Sequence, residues 1–86
     1  MSGRIVIYTT SRCPRCKVLK EFLKSKGMEY EERSLENPEN VVDLRLSGVF
    51  VLEAPILQVG DKYLQPSELF DQGVVKEDIL MEMLGE

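Results

Sequence analysis

The chain has 86 residues, a formal net charge of −4 and no histidine, which excludes His-based triads, imidazole general bases and His metal sites. Its acidic balance argues against general nucleic-acid binding, and no apolar run approaches the ~20 residues of a membrane span. With 43% apolar and 30% charged residues, the length allows one domain, residues 1–86, with one modest core that buries about 64% of the unfolded surface.

In chain order, Arg4-Ile5-Val6-Ile7-Tyr8-Thr9 is a β-branched, apolar run that suits a buried parallel strand. Thr10-Ser11-Arg12 is a loop, and Pro14 fits a first helical position with Cys13 as the residue before the helix. Val18, Leu19, Phe22 and Leu23 follow at helical spacing, and Gly27 ends that helix. Met28 to Leu35 alternates weakly and reads as a second strand. Asn37-Pro38 starts a second helix, with Val41, Val42, Leu44 and Leu46 as its apolar side and Ser47-Gly48 as its end. Val49 to Leu52 is apolar and fits either element type.

Pro55 to Val59 reads as a strand, Gly60-Asp61 as a two-residue hairpin turn, and Lys62 to Gln65 as the partner strand. Pro66-Ser67-Glu68 opens a last helical region capped by Ser67 and interrupted at Gly73. Val75, Ile79, Leu80 and Leu84 give that region a helical stripe. The order βαβαββα predicts an α/β fold: one four-stranded mixed sheet flanked by helices, with a parallel first crossover and an antiparallel hairpin.

Charge is segregated. Arg12 to Lys26 holds six basic residues and one acid, while Glu29 to Asp43 holds six acids and one base. A solvated helix face is the bland explanation of the basic block, but the block also contains both cysteines. Cysteines three apart at a helix start lie on one side of the first turn, within reach of a disulfide. Cys13 faces the unpaired N–H groups and positive end of the helix dipole, with Arg12, Arg15 and Lys17 nearby, so its thiolate is favoured. Cys16, one turn inside beside Leu19 and Leu23, is expected to be buried and protonated.

That division suits thiol–disulfide exchange: Cys13 attacks a substrate disulfide and Cys16 resolves the mixed disulfide. Zinc or an iron–sulfur cluster would need further ligands, and only a dimer bridged through Cys13 could supply more cysteines. A static disulfide, or two thiols that merely pack, would also fit the spacing. Met1 to Arg4 has no basic segment leading into an apolar run and cleavage site, so a cytoplasmic location is expected. Glu53-Ala54-Pro55 precedes a strand, where a proline is allowed as the first residue.

Together these residues resemble the glutaredoxin family of the thioredoxin fold. The strand Ile5–Thr9, the Cys13-Pro14-Arg15-Cys16 motif, the helix to Gly27, Met28-Glu29-Tyr30, Ala54-Pro55 and Gly60-Asp61-Lys62 carry the likeness. It implies that Cys13 is the nucleophile, Cys16 the resolving thiol and Cys13–Cys16 the redox-active disulfide. No bound cofactor is implied. It also implies a cis Pro55 packed beside the dithiol, with the Ala54 backbone open to substrate. Arg15 is a further candidate substrate contact, and Pro14, Arg12 and Lys17 are candidate supporting residues.

Two positions depart from the family pattern. Arg15 replaces the usual aromatic residue between the cysteines. Gln65-Pro66-Ser67-Glu68 stands where a Gly-Gly pair and a polar cap hold the glutamyl end of glutathione. Glutaredoxin-like redoxins with such losses serve ribonucleotide reductase and draw electrons from a thioredoxin-reductase-type enzyme. A monomer that reduces a disulfide-containing protein, with that donor or glutathione, is the expectation.

Overall fold

The structure, a computed structural model, describes residues 4–51 and 53–83. The first strand, β1 (Ile5–Thr9), leads into helix α1 (Pro14–Ser25), β2 (Glu31–Ser34) and helix α2 (Pro38–Leu46). The second half contains β3 (Ile56–Val59), β4 (Lys62–Leu64), the single turn α3 (Pro66–Leu69), the strands β5 (Phe70–Asp71) and β6 (Val74–Val75), and α4 (Glu77–Met83). The main sheet has the order β2-β1-β3-β4. β1 runs parallel to β2 and antiparallel to β3, and β3 pairs antiparallel with β4. This is the expected four-stranded mixed sheet with helices on its faces.

Alternation along the two central strands divides the core. Ile7, Leu57 and Val59 face one side, where Leu19 and Leu23 of α1 and Leu80 of α4 cover them. Val6, Tyr8 and Ile56 face the other, under Leu44 of α2 and the loop residues Val49 and Val51. The edge strand β2 is polar, which protects its open side from pairing with another chain. Glu31 of that strand pairs with Arg4 and Arg33, and Glu32 pairs with Lys20. Of the expected Met28–Leu35 strand, Glu31–Ser34 forms β2, and the Leu35 N–H still donates to the Thr9 carbonyl at 2.7 Å. Met28, Tyr30 and Leu35 pack their side chains against the core.

Three sequence expectations are corrected. Val42 and Leu46 do not belong to the buried side of α2: they are 52% and 82% exposed, against 1% for Leu44. Each lies two residues from Leu44, about 200° around the helix, and so points away from the sheet. Ser67 does not cap α3. Pro66 takes the first helical position, which makes Gln65 the cap; the Gln65 N–H donates to Glu68 Oε1 at 3.0 Å.

Gly73 does not interrupt a helix. Gln72 and Gly73 both have positive φ, 52° and 82°, and form the two-residue turn between β5 and β6. Val75 therefore packs against the core from a strand, while Ile79 and Leu80 of the expected stripe lie on α4, with Leu80 buried. Leu52 and Leu84 lie outside the described residues.

Candidate functional site

β1 delivers the chain to the site. After Thr9 it turns through Thr10 to Arg12, and Cys13 enters α1 as the N-cap with extended backbone (φ −141°, ψ 95°). Pro14 follows at the first helical position, where it has no N–H to leave unpaired. Cys13 and Cys16 form a disulfide with their Cα atoms 5.2 Å apart. The Cys16 N–H also donates to Cys13 Sγ at 3.0 Å. Thus the sulfur does the work that a serine or aspartate oxygen does at an ordinary N-cap. No acidic residue occupies the first turn of α1, so nothing in that turn opposes a negative charge on Cys13.

The two sulfurs differ in access. Cys16 is 2% exposed, in the same helix as the fully buried Leu19 and Leu23. Cys13 is half-buried, open to an approaching group. Pro14, Arg12 and Lys17 are exposed. Arg12 and Lys17 make no ion pair among the described residues.

The Ala54–Pro55 bond is cis. Pro55 is buried and Ala54 half-buried. The antiparallel register pairs Tyr8 with Ile56. One step further along the same ladder, Pro55 falls opposite Thr9, at the end of β1 from which the cysteine loop departs. The structure thereby brings Ala54-Pro55 and Cys13-Pro14-Arg15-Cys16 to the same end of the two central strands. A link between these segments also forms: Arg15 Nη2 donates to Glu53 Oε1 at 3.1 Å. Local sequence does not reveal it, because the two residues are 38 positions apart.

Beside the dithiol runs an open groove of about 760 Å³ lined by residues that include Thr10, Arg12, Cys13, Cys16 and Lys17, continuing to Lys20 and Lys24. Glu32 borders this side of α1. Thr9 Oγ1 donates to its carboxylate at 2.9 Å, which, with Lys20 beside it, holds that carboxyl below the usual range. Among the described residues no three Cys, Asp or Glu side chains converge as a metal-binding group. No described helix is long and apolar enough to cross a membrane.

Comparison with known proteins agrees with this geometry. No curated protein sequence matches the chain. Among solved structures, the glutaredoxin of Archaeoglobus fulgidus superposes with a TM-score of 0.67 at 26% sequence identity, covering 98% of this chain and 88% of that one. The model of the glutaredoxin family matches residues 5–63, a span that holds the cysteine helix, the cis-proline turn and three of the four sheet strands together with part of the fourth. The chain belongs to the glutaredoxin family.

Proposed function

We propose that the protein is a dithiol electron donor that reduces disulfides in partner proteins. The observation that carries this reading is the pairing of an accessible N-cap sulfur, Cys13, with a buried one, Cys16. The Cys13 thiolate attacks one sulfur of the partner disulfide, forming a mixed disulfide and releasing one partner thiolate. Cys16 then gives its proton to that thiolate and attacks Cys13 Sγ, releasing the second partner sulfur as a thiolate that takes a proton from water. Two electrons pass to the partner, and the protein is left with the Cys13–Cys16 disulfide. No organic cofactor enters this cycle. In this reading the protein is a cytoplasmic monomer, in a compartment that keeps dithiols reduced, and it needs neither nucleic acid nor membrane. Ribonucleotide reductase is the candidate acceptor, and a thioredoxin-reductase-type enzyme the preferred donor. The direct test is reduction of insulin disulfides by the protein with dithiothreitol as electron source; precipitation no faster than with dithiothreitol alone would reject the function.

Pro55 gives a sharper expectation. Its buried ring lies at the end of the strand ladder beside the cysteine loop, and it adds no N–H there. In Pro55→Ala that filling is lost and a donor is introduced. Misplacement of an incoming disulfide should lower the exchange rate by about ten-fold, and the less shielded thiols should take up zinc or iron more readily. Stopped-flow exchange rates and metal analysis check both halves; a metal-free variant of unchanged rate would remove Pro55 from the site.

The Arg15–Glu53 pair is half-exposed, with side chains 40% and 59% accessible, so it should contribute under about 1 kcal/mol to stability. Its expected effect is electrostatic. Glu53→Gln frees the Arg15 charge next to Cys13, and the reduced variant should be alkylated at Cys13 faster than wild type near neutral pH. An unchanged rate would show that Arg15 and Cys13 do not sense each other.

A further inference from the structure

The groove beside the dithiol has a direction and a charge. Lys17, Lys20 and Lys24 follow Cys13 by four, seven and eleven residues. At 100° per residue all three fall within about 40° of the line of Cys13, so they form one stripe along α1. Arg12 stands at its start, and among the described residues Glu21 is the only acid in its lining. Lys20 is already engaged by Glu32 at 3.2 Å, and Arg15, outside the groove, by Glu53. Arg12, Lys17 and Lys24 have no ion-pair partner among the described residues. This concentration of positive charge stands out on a chain whose net charge is −4. None of the residues of the Ala54–Pro55 turn lines the groove, so it leaves the sulfurs on a different side from that turn.

We propose that this groove is the docking track for an acidic segment that flanks the reactive cysteine of the partner protein. The proposal rests on the disulfide-reducing role given above and specifies which partners that role serves. A nucleic acid would also answer the charge, but it carries no disulfide to place at the sulfurs where the track begins. The spacing sets a register. Lys17 and Lys24 stand about 6 and 16 Å along the helix axis from Cys13 at 1.5 Å per residue. An extended segment advances about 3.3 Å per residue, so its carboxylates belong about two and five residues from its cysteine. Such a track raises the encounter rate with acidic partners and repels basic ones.

Two synthetic peptides test this, each a disulfide-linked homodimer with one central cysteine. One carries Glu two and five residues away on both sides; the other carries Gln at the same places. The reduced full-length protein is mixed with each, quenched in acid, alkylated and weighed. The acidic peptide should oxidise the protein about ten-fold faster at low ionic strength. The ratio should approach one in ~1 M salt, where charges are screened beyond about 3 Å. In Lys20→Gln/Lys24→Gln the low-salt ratio should fall at least about three-fold, because the far end of the track is gone and Glu32 is left unpaired. Equal rates for the two peptides, or a ratio insensitive to salt or to the double substitution, would overturn the acidic track and leave disulfide exchange standing. Oxidation by neither peptide would overturn exchange and track together. Oxidised glutathione serves as a third probe. Its carboxylates lie too near its disulfide to reach Lys24, so a loss with the double variant as large as that of the acidic peptide would assign the groove to a small acid instead.

Discussion

Cys13→Ser is expected to abolish disulfide reduction, whereas Cys16→Ser should complete the first attack and stop there. The asymmetry follows from where α1 places each sulfur. Cys13 caps the helix, half-buried, and accepts the Cys16 N–H at 3.0 Å. A serine there would cap the helix equally well, so the fold should survive while the nucleophile is lost. Cys16 is 2% exposed, too enclosed to meet an external disulfide, yet joined to Cys13 in the disulfide itself. Without it the mixed disulfide has no internal exit. Incubation of Cys16→Ser with a disulfide-bearing protein should therefore accumulate a covalent complex that dithiothreitol releases. In the reduced wild-type protein, iodoacetamide near neutral pH should modify Cys13 at least about ten-fold faster than Cys16. Equal labelling of the two thiols, or activity surviving in Cys13→Ser, would reverse the assignment.

Much of this architecture is readable because its signals are local. Cys13-Pro14 marks a helix start from two adjacent residues, and the apolar, β-branched run Ile5–Thr9 marks a buried strand. The errors arise where one local signal has two physical readings. Gly73 supplies a break in a helix or the positive φ of a tight turn, and the choice rests on Gln72 also taking φ 52° and on Phe70 pairing with Val75. Leu46 matches a helical apolar pattern, yet it is 82% exposed, because it lies two residues and about 200° around α2 from the buried Leu44. Site residues divide in the same way. Lys17, Lys20 and Lys24 share a helix with Cys13, so their stripe follows from the sequence once α1 is known. The Arg15–Glu53 link depends on a chain crossing that no local pattern encodes.

Oxidised protein should be reduced by glutathione at least about ten-fold more slowly than by dithiothreitol at equal thiol concentration, even after allowing for the intrinsic advantage of a dithiol. The segment that resembles the glutamyl-holding turn of glutaredoxins has few donors to offer. The Gln65 N–H is taken by Glu68 Oε1 at 3.0 Å. Pro66 has no N–H, and the N–H groups of Glu68 and Leu69 both donate to the Gln65 carbonyl, at 2.9 and 3.1 Å. Gln65 Nε2 donates in turn to the Phe50 carbonyl at 3.0 Å. Only the Ser67 N–H lacks a partner among the described residues, and the exposed Glu68 carboxylate would repel an incoming carboxylate. Glu68→Gln separates these causes, since glutamine keeps an oxygen to accept the Gln65 N–H while removing the charge. Its rate with glutathione should rise about three-fold, and its rate with dithiothreitol should stay the same. A wild-type protein turned over efficiently by millimolar glutathione, or a Glu68→Gln variant that gains nothing, would show that the γ-glutamyl group binds elsewhere on the protein.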